Sequence, residues 1–184
     1  MNAVDEVLSL FADFGSSNYD EGVTLEDHSL QTAALARSND ATDSLVLAAL
    51  LHDVGHMLQA QERGNENYLA VDWEHDLVAA EWLQPRFGQA VAQPVGHHVC
   101  AKRWLCSVEP GYLSSLSDAS VKSLAAQGGP FSQEEADRWL RQPGAEDAIA
   151  LRRWDDDGKV AGVTIEPLST YVDLLKAASS SGRR

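Results

Sequence analysis

The stretch Leu45-Val46-Leu47-Ala48-Ala49-Leu50-Leu51-His52-Asp53-Val54-Gly55-His56 places two adjacent metal-binding side chains directly after a run of apolar residues. A helix that is apolar on all sides is usually buried on all sides, so residues 45–51 predict a central core helix. His52 offers a neutral ring nitrogen, and Asp53 offers two oxygens that can span two ions. Because a buried charge is costly without a partner, Asp53 at the end of such a helix indicates a polar site.

Apolar residues recur at helical spacing along most of the chain, and no segment shows convincing strand alternation. Capping patterns support the helix starts, as at Thr24 with Asp27 and at Ser132 with Glu135. Helices are predicted at residues 4–14, 24–38, 43–51, 73–87, 89–101, 117–127, 132–140, 145–156 and 168–178. Residues 19–22 and 59–72 are predicted to be polar loops, and residues 159–165 are at most a short extended piece.

The predicted fold class is therefore all-α, a compact bundle of non-parallel helices. Its 184 residues suit one domain, which we place at residues 1–178, followed by a flexible tail at residues 179–184. No apolar run is long enough to span a bilayer, and the N-terminus lacks the pattern of a signal peptide. These features predict a cytoplasmic protein.

The net charge of -14 argues against binding to a nucleic-acid backbone, which requires clustered Lys and Arg. An anionic small molecule would need a local basic pocket in so acidic a protein. The few places where Lys and Arg occur together are therefore of interest.

Six residues together make a plausible ligand set: His28, His52, Asp53, His75, His98 and Asp155. Each candidate also has an interpretation without metal: any one histidine alone is more often a core or capping residue. Asp155 lies in an acidic helix end with Asp156 and Asp157. Either His97 or His98 could point inward. Six ligands are too many for one tetrahedral zinc site. With one bridging carboxylate, they suit two ions about 3.5–4 Å apart.

The order of these ligands resembles the dinuclear members of the HD-domain superfamily. Further blocks resemble the mixed-valent diiron oxygenases that cleave the carbon–phosphorus bond of 1-hydroxyphosphonates, which are relatives of myo-inositol oxygenase. The resemblance runs from about Val4 to Tyr171. It is carried by Glu26-Asp27-His28-Ser29-Leu30-Gln31, His98-Val99-Cys100-Ala101-Lys102-Arg103, Ser117-Asp118-Ala119-Ser120, Gln127-Gly128-Gly129-Pro130 and Arg152-Arg153-Trp154-Asp155.

The resemblance implies an HD-domain bundle around two iron ions, Fe(II) and Fe(III), with O2 as co-substrate. One iron would take His28, His52, Asp53 and Asp155, and the other would take His75 and His98, with Asp53 bridging. The resemblance picks His98 over His97. Tyr19 would occupy the second iron until substrate displaces it, and His56 would face the substrate. The phosphonate would be held by Lys102, Ser120, Ser123, Gln127 and Arg152, although Lys102 alone would suit a solvated helix end.

The substrate's second group is expected to meet the loop before the first histidine. Tyr19 with Asp20 or Glu21 match the family there, but the segment is one residue shorter than in the enzyme for the primary amine. We therefore expect 1-hydroxy-2-(trimethylammonio)ethylphosphonate as substrate, with glycine betaine and phosphate as products, and 2-amino-1-hydroxyethylphosphonate as the alternative. A quaternary ammonium needs carboxylates and aromatic faces, for which Tyr68, Trp73 and Trp104 are further candidates.

Two other functions remain open on the same residues. One is an HD-type phosphohydrolase that uses metal-bound hydroxide, and the other is a catalytically idle module stabilised by metal. We expect a small-molecule organophosphonate as the partner, no nucleic acid and no membrane, and a monomer or a weak homo-oligomer.

Overall fold

The structure is a computed structural model and describes residues 2–20, 22–63 and 74–181. These residues form eleven α-helices and one two-stranded hairpin, which confirms the all-α prediction. The elements are α1 Ala3–Phe14, β1 Asn18–Asp20, β2 Val23–Thr24, α2 Leu25–Ser38, α3 Asp43–Leu51, α4 Val54–Arg63, α5 His75–Phe87, α6 Gln89–Val108, α7 Tyr112–Ser115, α8 Asp118–Ala126, α9 Gln133–Trp139, α10 Ala145–Asp157 and α11 Val172–Ser181. A 3-10 turn, Leu168–Tyr171, precedes α11.

Helix α3 is the centre of the core, as its all-round apolar sequence predicts. Residues 47–51 have 0% exposed surface. The helix packs against α2, α6, α10 and α11, so a neighbour covers each of its faces. Its C-terminal end therefore points into the interior of the bundle, where any polar side chain must find a partner.

The predicted capping boxes are confirmed at the start of α2, which carries His28, and at the start of α9. The Thr24 hydroxyl accepts from the Asp27 backbone N–H at 3.1 Å, and the Asp27 carboxylate accepts in return from the Thr24 backbone. Ser132 and Glu135 make the same reciprocal pair at the start of α9. Each box satisfies N–H groups that a helix start would otherwise leave unpaired.

Parts of α4 and α6 were not predicted to be helical, because polar residues on a helix can still have a buried side. Residues 59–63 were predicted to be loop but continue α4, where Gln59 and Ala60 are buried. Helix α6 continues past residue 101 to Val108, and Leu105 on this extension is fully buried. The rest of the predicted loop, residues 64–72, lies outside the described residues.

The loop before α2 is a small antiparallel hairpin rather than an unpaired segment. Its strands are irregular in register and have only three and two residues, which is too short for alternation to show in the sequence. The hairpin carries Tyr19 towards the interior. At the other end of the chain, α11 extends to Ser181, three residues beyond the predicted end. No helix in the described ranges is long and apolar enough to cross a membrane.

Candidate metal centre

The structure brings all six predicted ligands together from five parts of the chain. His28 lies on α2, His75 and His98 on α5 and α6, and Asp155 on α10, while His52 and Asp53 lie between α3 and α4. All six are buried. Such convergence from separate elements is expected of a built site and not of isolated core histidines.

The break between α3 and α4 explains how two adjacent residues can face one cavity. Helix α3 ends at Leu51, with His52 as its C-cap, and α4 begins at Val54. The His56 backbone N–H donates to the Asp53 carbonyl at 3.0 Å. Within one continuous helix, neighbouring side chains diverge by about 100°. The change of helix direction removes that constraint.

The two carboxylate oxygens of Asp53 face different histidine pairs. Oδ2 lies 3.5 Å from His28 Nε2 and 3.4 Å from His52 Nε2. Oδ1 lies 3.6 Å from His75 Nε2 and 3.8 Å from His98 Nε2. Asp53 is thus placed as a bridge between two donor groups.

The hydrogen bonds of three histidines fix which nitrogen can bind a metal. The Nδ1 atoms of His28, His52 and His98 lie 2.9, 2.8 and 2.7 Å from the backbone carbonyls of Gly158, Ala49 and Val95. A carbonyl only accepts, so each Nδ1 carries a hydrogen, and the neutral ring presents its Nε2 lone pair to the site. Hydrogen bonds of this kind to the far ring nitrogen hold a metal-binding histidine in a fixed orientation.

Those lone pairs face each other at short range. His28 Nε2 and His52 Nε2 are 3.0 Å apart, and His75 Nε2 and His98 Nε2 are 3.1 Å apart. Two acceptors at this distance repel unless a proton or a cation lies between them. Asp53 Oδ2 is buried and has no hydrogen-bond partner within the described ranges. The donor set therefore fits a pair of metal ions, with nitrogen and oxygen ligands that suit iron, manganese, zinc or cobalt.

Donor atoms lie within 4.8 Å of one another in two groups of three. One group is His28, His52 and Asp155, and the other is Asp53, His56 and His75. The His56 ring, predicted to face the substrate, stacks on His75 with centroids 4.0 Å apart, and its Nε2 lies 4.0 Å from Asp53 Oδ1. His56 also lines the cavity, so its position suits either role.

The charges of the centre follow from its burial and its pairing. Burial would raise the pKa of Asp53, but His52, His28 and His56 hold it well below its usual range. Burial would lower the pKa of His28, but its contacts with Asp155 and Asp53 outweigh that effect and raise it. Burial, with His75 and His52 nearby, lowers the pKa of His98 well below 6.5. Without metal, the centre holds an ionised carboxylate beside a His28 that takes up a proton readily.

Gly55 is required by the close approach of α4 to the start of α5. A Cβ atom on Gly55 would lie 1.9 Å from the carbonyl oxygen of His75, which is backbone and unable to swing away. We expect Gly55→Ala to destabilise the fold by about 1–3 kcal/mol or more and to displace His75. Urea unfolding and metal content measure the two effects.

The matched control for this prediction is Gly96→Ala on α6. Its added methyl would meet only the Ala80 side chain, at 2.9 Å. We expect Gly96→Ala to keep its full metal content. Equal metal content in Gly55→Ala and the wild type would contradict the proposed coupling between Gly55 and His75.

Arg152 supports the centre through three polar neighbours. Its Nη1 donates to Asp155 Oδ2 at 2.5 Å, and its Nε and Nη2 edge contacts the carboxylate of Asp156, with Tyr112 Oη 3.2 Å from Nε. Asp156, interpreted from sequence as a solvated helix end, is half-buried in this ion pair, so that interpretation was wrong. Asp157 is exposed, as predicted.

A cavity of about 540 Å³ opens beside the centre. Every predicted phosphonate ligand lines it: Lys102, Ser120, Ser123, Gln127 and Arg152. Lys102 is not at a solvated helix end, because α6 continues past it and it is buried at 3% exposure. Its ammonium donates to the Ser123 hydroxyl at 2.8 Å. His98 faces the cavity, whereas His97 lies 3.3 Å from Trp139 Nε1 on the other side.

Helix α8 lines the cavity, and Arg103 on α6 binds the turn that follows it. Arg103 Nε donates to the Gly129 carbonyl at 2.7 Å, and its guanidinium stacks over the Phe131 ring at 4.3 Å. These contacts hold the turn after Gln127, so that Gln127 remains in the cavity wall. Helix α8 itself buries only Ser120 and Leu124.

The N-terminal loop reaches the centre through Tyr19. Its ring stacks on His28, with the ring centroids 4.1 Å apart. Burial and the charges of Asp53 and Asp155 raise its pKa well above 10, so the hydroxyl keeps its proton. Trp104 does not line the cavity but packs 6.1 Å from Trp139. The other predicted cage residues, namely the Asp20 side chain, Glu21, Tyr68 and Trp73, lie outside the described residues.

Sequence reasoning missed several residues of the site. Lys159 lines the cavity and lies 3.0 Å from Asp155 Oδ1. Gln31 makes two hydrogen bonds to the Val160 backbone, and Tyr112 hydrogen-bonds with Asp156. The spacing of Lys159 four residues after Asp155 was a usable signal. Nothing in the sequence pairs Gln31 with Val160.

Comparison with known proteins agrees with this geometry. Residues 25–140 match the HD domain family. A hydroxymethylphosphonate dioxygenase of Gimesia maris is 44% identical over 168 residues, covering 91% of this chain and 84% of the relative. A [1-hydroxy-2-(trimethylamino)ethyl]phosphonate dioxygenase (glycine-betaine-forming) of Leisingera caerulea is 34% identical over 166 residues, covering 87% and 82%. An uncharacterized protein of Acanthamoeba polyphaga mimivirus is 32% identical over 174 residues, covering 94% and 80%.

These matches cover most of the chain and include the region that carries five of the six buried ligands, and they bear out the family resemblance drawn from the motifs. The chain therefore belongs to the HD domain family, and it is related within that family to proteins named as phosphonate dioxygenases.

Proposed function

We propose that this protein uses O2 to cleave the carbon–phosphorus bond of a small 1-hydroxyphosphonate and releases phosphate. The observation that carries the proposal is Asp53, whose two oxygens face two histidine pairs beside a cavity lined with basic residues. The two related phosphonate dioxygenases support the same reaction class.

The donor groups and the contacts of Asp53 support one distribution of the six ligands over two ions. His28, His52 and Asp155 would hold one ion, His75 and His98 would hold the other, and Asp53 would bridge them. Iron in a mixed-valent Fe(II)/Fe(III) pair is the form that the family resemblance implies. Such a pair, when bound, supplies O2 activation and Lewis-acid sites for the oxygens of the substrate.

The cavity residues bind and orient the phosphonate. Lys102 brings a charge into a largely water-excluded wall, and Ser120 and Ser123 bring hydroxyl donors beside it. Arg152 has its Nε–Nη2 edge occupied by Asp156, so only its remaining Nη hydrogens would reach the substrate. The Tyr19 hydroxyl, which keeps its proton beside Asp53, would be displaced when the substrate's oxygens enter the centre.

Hydroxymethylphosphonate is the substrate that we favour. The 44% identity to a dioxygenase named for that compound supports it, and within the described residues Tyr19 is the only aromatic side chain that lines the cavity. The trimethylammonio substrate expected from the N-terminal loop, and its primary-amine analogue, are the alternatives. For hydroxymethylphosphonate the atoms balance when one O2 supplies one oxygen to formate and one to phosphate.

The test supplies the iron-loaded protein with each of the three hydroxyphosphonates, in air and without oxygen. We expect phosphate only in air, formed in equal amount to formate and fastest from hydroxymethylphosphonate. Phosphorus and proton NMR identify the products. Phosphate release without oxygen from a phosphate ester would instead support an HD phosphohydrolase. No release from any compound, with metal bound, would support the idle module.

A further inference from the structure

The cavity contains a cation, Lys159, that neither the ligand set nor the phosphonate-binding residues include. Its ammonium lies 3.0 Å from Asp155 Oδ1 and 3.8 Å from Asp156 Oδ1. It is also 5.9 Å from the centre of the Tyr19 ring. The side chain is 12% exposed, and the part that is not covered lines the cavity.

Backbone contacts fix the position of Lys159. The next residue, Val160, is held by Gln31 through two hydrogen bonds of 3.0 Å, from Gln31 Nε2 to the Val160 carbonyl and from the Val160 N–H to Gln31 Oε1. The preceding residue, Gly158, lies so close to α2 that a Cβ atom would meet Thr32 Oγ1 at 2.6 Å. Lys159 is therefore held between two anchored neighbours and does not belong to a free loop.

A phosphonate in the cavity needs positive charge, and Lys159 can supply part of it. Arg152 is already neutralised by Asp155 and Asp156. Lys102, whose ammonium donates to the Ser123 hydroxyl, brings one positive charge to the cavity wall. A phosphonate dianion needs about two such charges to enter a partly buried site without a large desolvation cost. Lys159 is the second mostly buried lysine that lines this cavity in the described part of the chain.

Lys159 pairs with Asp155, which is itself a candidate ligand of a metal ion. Asp155 Oδ1 lies 3.4 Å from His28 Nε2 and is the oxygen that the first donor group offers to an ion. A metal ion and an ammonium compete for that atom. When a metal ion binds Asp155, Lys159 loses part of its interaction with that carboxylate. An anion in the cavity is then the favourable partner for its charge.

We propose that Lys159 is a substrate-binding residue that pairs with the phosphonate group in the metal-loaded protein. The inference rests on the proposed function for the identity of the anion. It gives the dianion one lysine from α6 and one from the segment after α10, on two sides of the cavity. Gln31 acts as a positioning residue, because it places Lys159 without touching the substrate.

The experiment measures binding of inorganic phosphate, without oxygen, to the iron-loaded protein by calorimetry. The variants are Lys159→Met, Lys159→Arg and the control Lys176→Met, which removes an exposed lysine 3.1 Å from Asp173 on α11. We expect Lys159→Met to weaken phosphate binding by about 10- to 100-fold, the factor for losing one hydrogen bond to a charged group. Lys159→Arg should recover most of this loss, and Lys176→Met should change binding by less than about twofold.

A second readout separates substrate binding from structural support. Iron content should be unchanged in Lys159→Met, and its KM for hydroxymethylphosphonate should rise far more than its kcat falls. Gln31→Leu should raise the KM in the same direction. Wild-type phosphate binding in Lys159→Met, or weakened binding that is explained by lost iron, would overturn the proposal. Phosphate binding is measured without turnover, so failure of the C–P cleavage assay and failure of this inference give different results.

Discussion

Asp53→Asn is expected to lower activity by at least about a thousandfold and to lower the bound metal from about two ions to one or fewer. The change removes about 4 kcal/mol of interaction, the amount typical of breaking a buried charged pair. Asn has nearly the same shape, but only one of its two side-chain atoms can coordinate. One of the two histidine pairs would lose its shared carboxylate oxygen, whichever way the amide turns.

Iron content and phosphate release from hydroxymethylphosphonate measure this result, with circular dichroism to show that the helices remain. The matched control is Asp157→Asn, at an exposed position two residues after Asp155. It should keep both iron ions and wild-type turnover. Two ions retained by Asp53→Asn, with activity within tenfold of the wild type, would contradict a bridging role for Asp53.

The burial of some candidate ligands was predictable because they are tied to features that the sequence shows. The apolar run of residues 45–51 fixes α3 in the core, so His52 and Asp53 must be buried at its end. The capping box at Thr24 sets the phase of α2 and turns His28 inward. Together with the family motifs, local physics placed these ligands without any knowledge of tertiary contacts.

The supporting residues were not predictable, because they act across long separations in sequence. His28 takes its orientation from the carbonyl of Gly158, 130 residues away. Gln31 anchors Val160 across 129 residues. Asp156 looked like a solvated helix end because Tyr112, one of its partners, lies 44 residues away in sequence; its other partner, Arg152, is four residues before it on α10 and was a signal that could have been used. Composition and helical period carry no information about such pairs.

The same limit applies to electrostatics. A net charge of -14 describes the whole surface, and it disfavours a nucleic-acid partner. It does not describe the cavity, where Lys102, Lys122, Arg152 and Lys159 meet from three parts of the fold. The acidic exterior and the basic cavity together favour a small anion that enters alone over a polyanion that must lie along the surface.

Removal of the metal ions with a chelator is expected to lower the melting temperature by roughly 15–30 °C at pH 7.5. Ligands present at a thousand times their dissociation constant each stabilise a protein by about 4 kcal/mol, so two ions contribute about 8 kcal/mol. In a chain of this size, each kcal/mol corresponds to about 2–4 °C. The facing Nε2 atoms of the two histidine pairs are the physical cause, because metal turns their repulsion into shared coordination.

The loss of melting temperature on metal removal should become larger as the pH rises. In the metal-free protein the pKa of His28 is raised, so its stabilising effect is present at low pH and lost as the pH rises through that pKa. The pKa of His98 is lowered, so the stability of the metal-free protein falls at this residue as the pH falls. The contributions of His28 and His98 to the pH dependence of stability therefore partly cancel. In the loaded protein both rings must be neutral, so metal binding displaces a proton mainly from His28, whose pKa is raised, and falling pH opposes binding there.

The gap between the loaded and metal-free melting temperatures should therefore widen from about pH 5.5 to about pH 7.5. The range is set by the ordinary histidine pKa of about 6.5 and by the raised pKa of His28. The pKa values of Asp53 and Asp155 are held well below 3.8, so both stay ionised throughout and do not contribute to the change. Differential scanning calorimetry of both forms across this range measures the gap. A gap that stays constant, or that narrows towards pH 7.5, would mean that the buried histidines do not bind the metal through neutral rings.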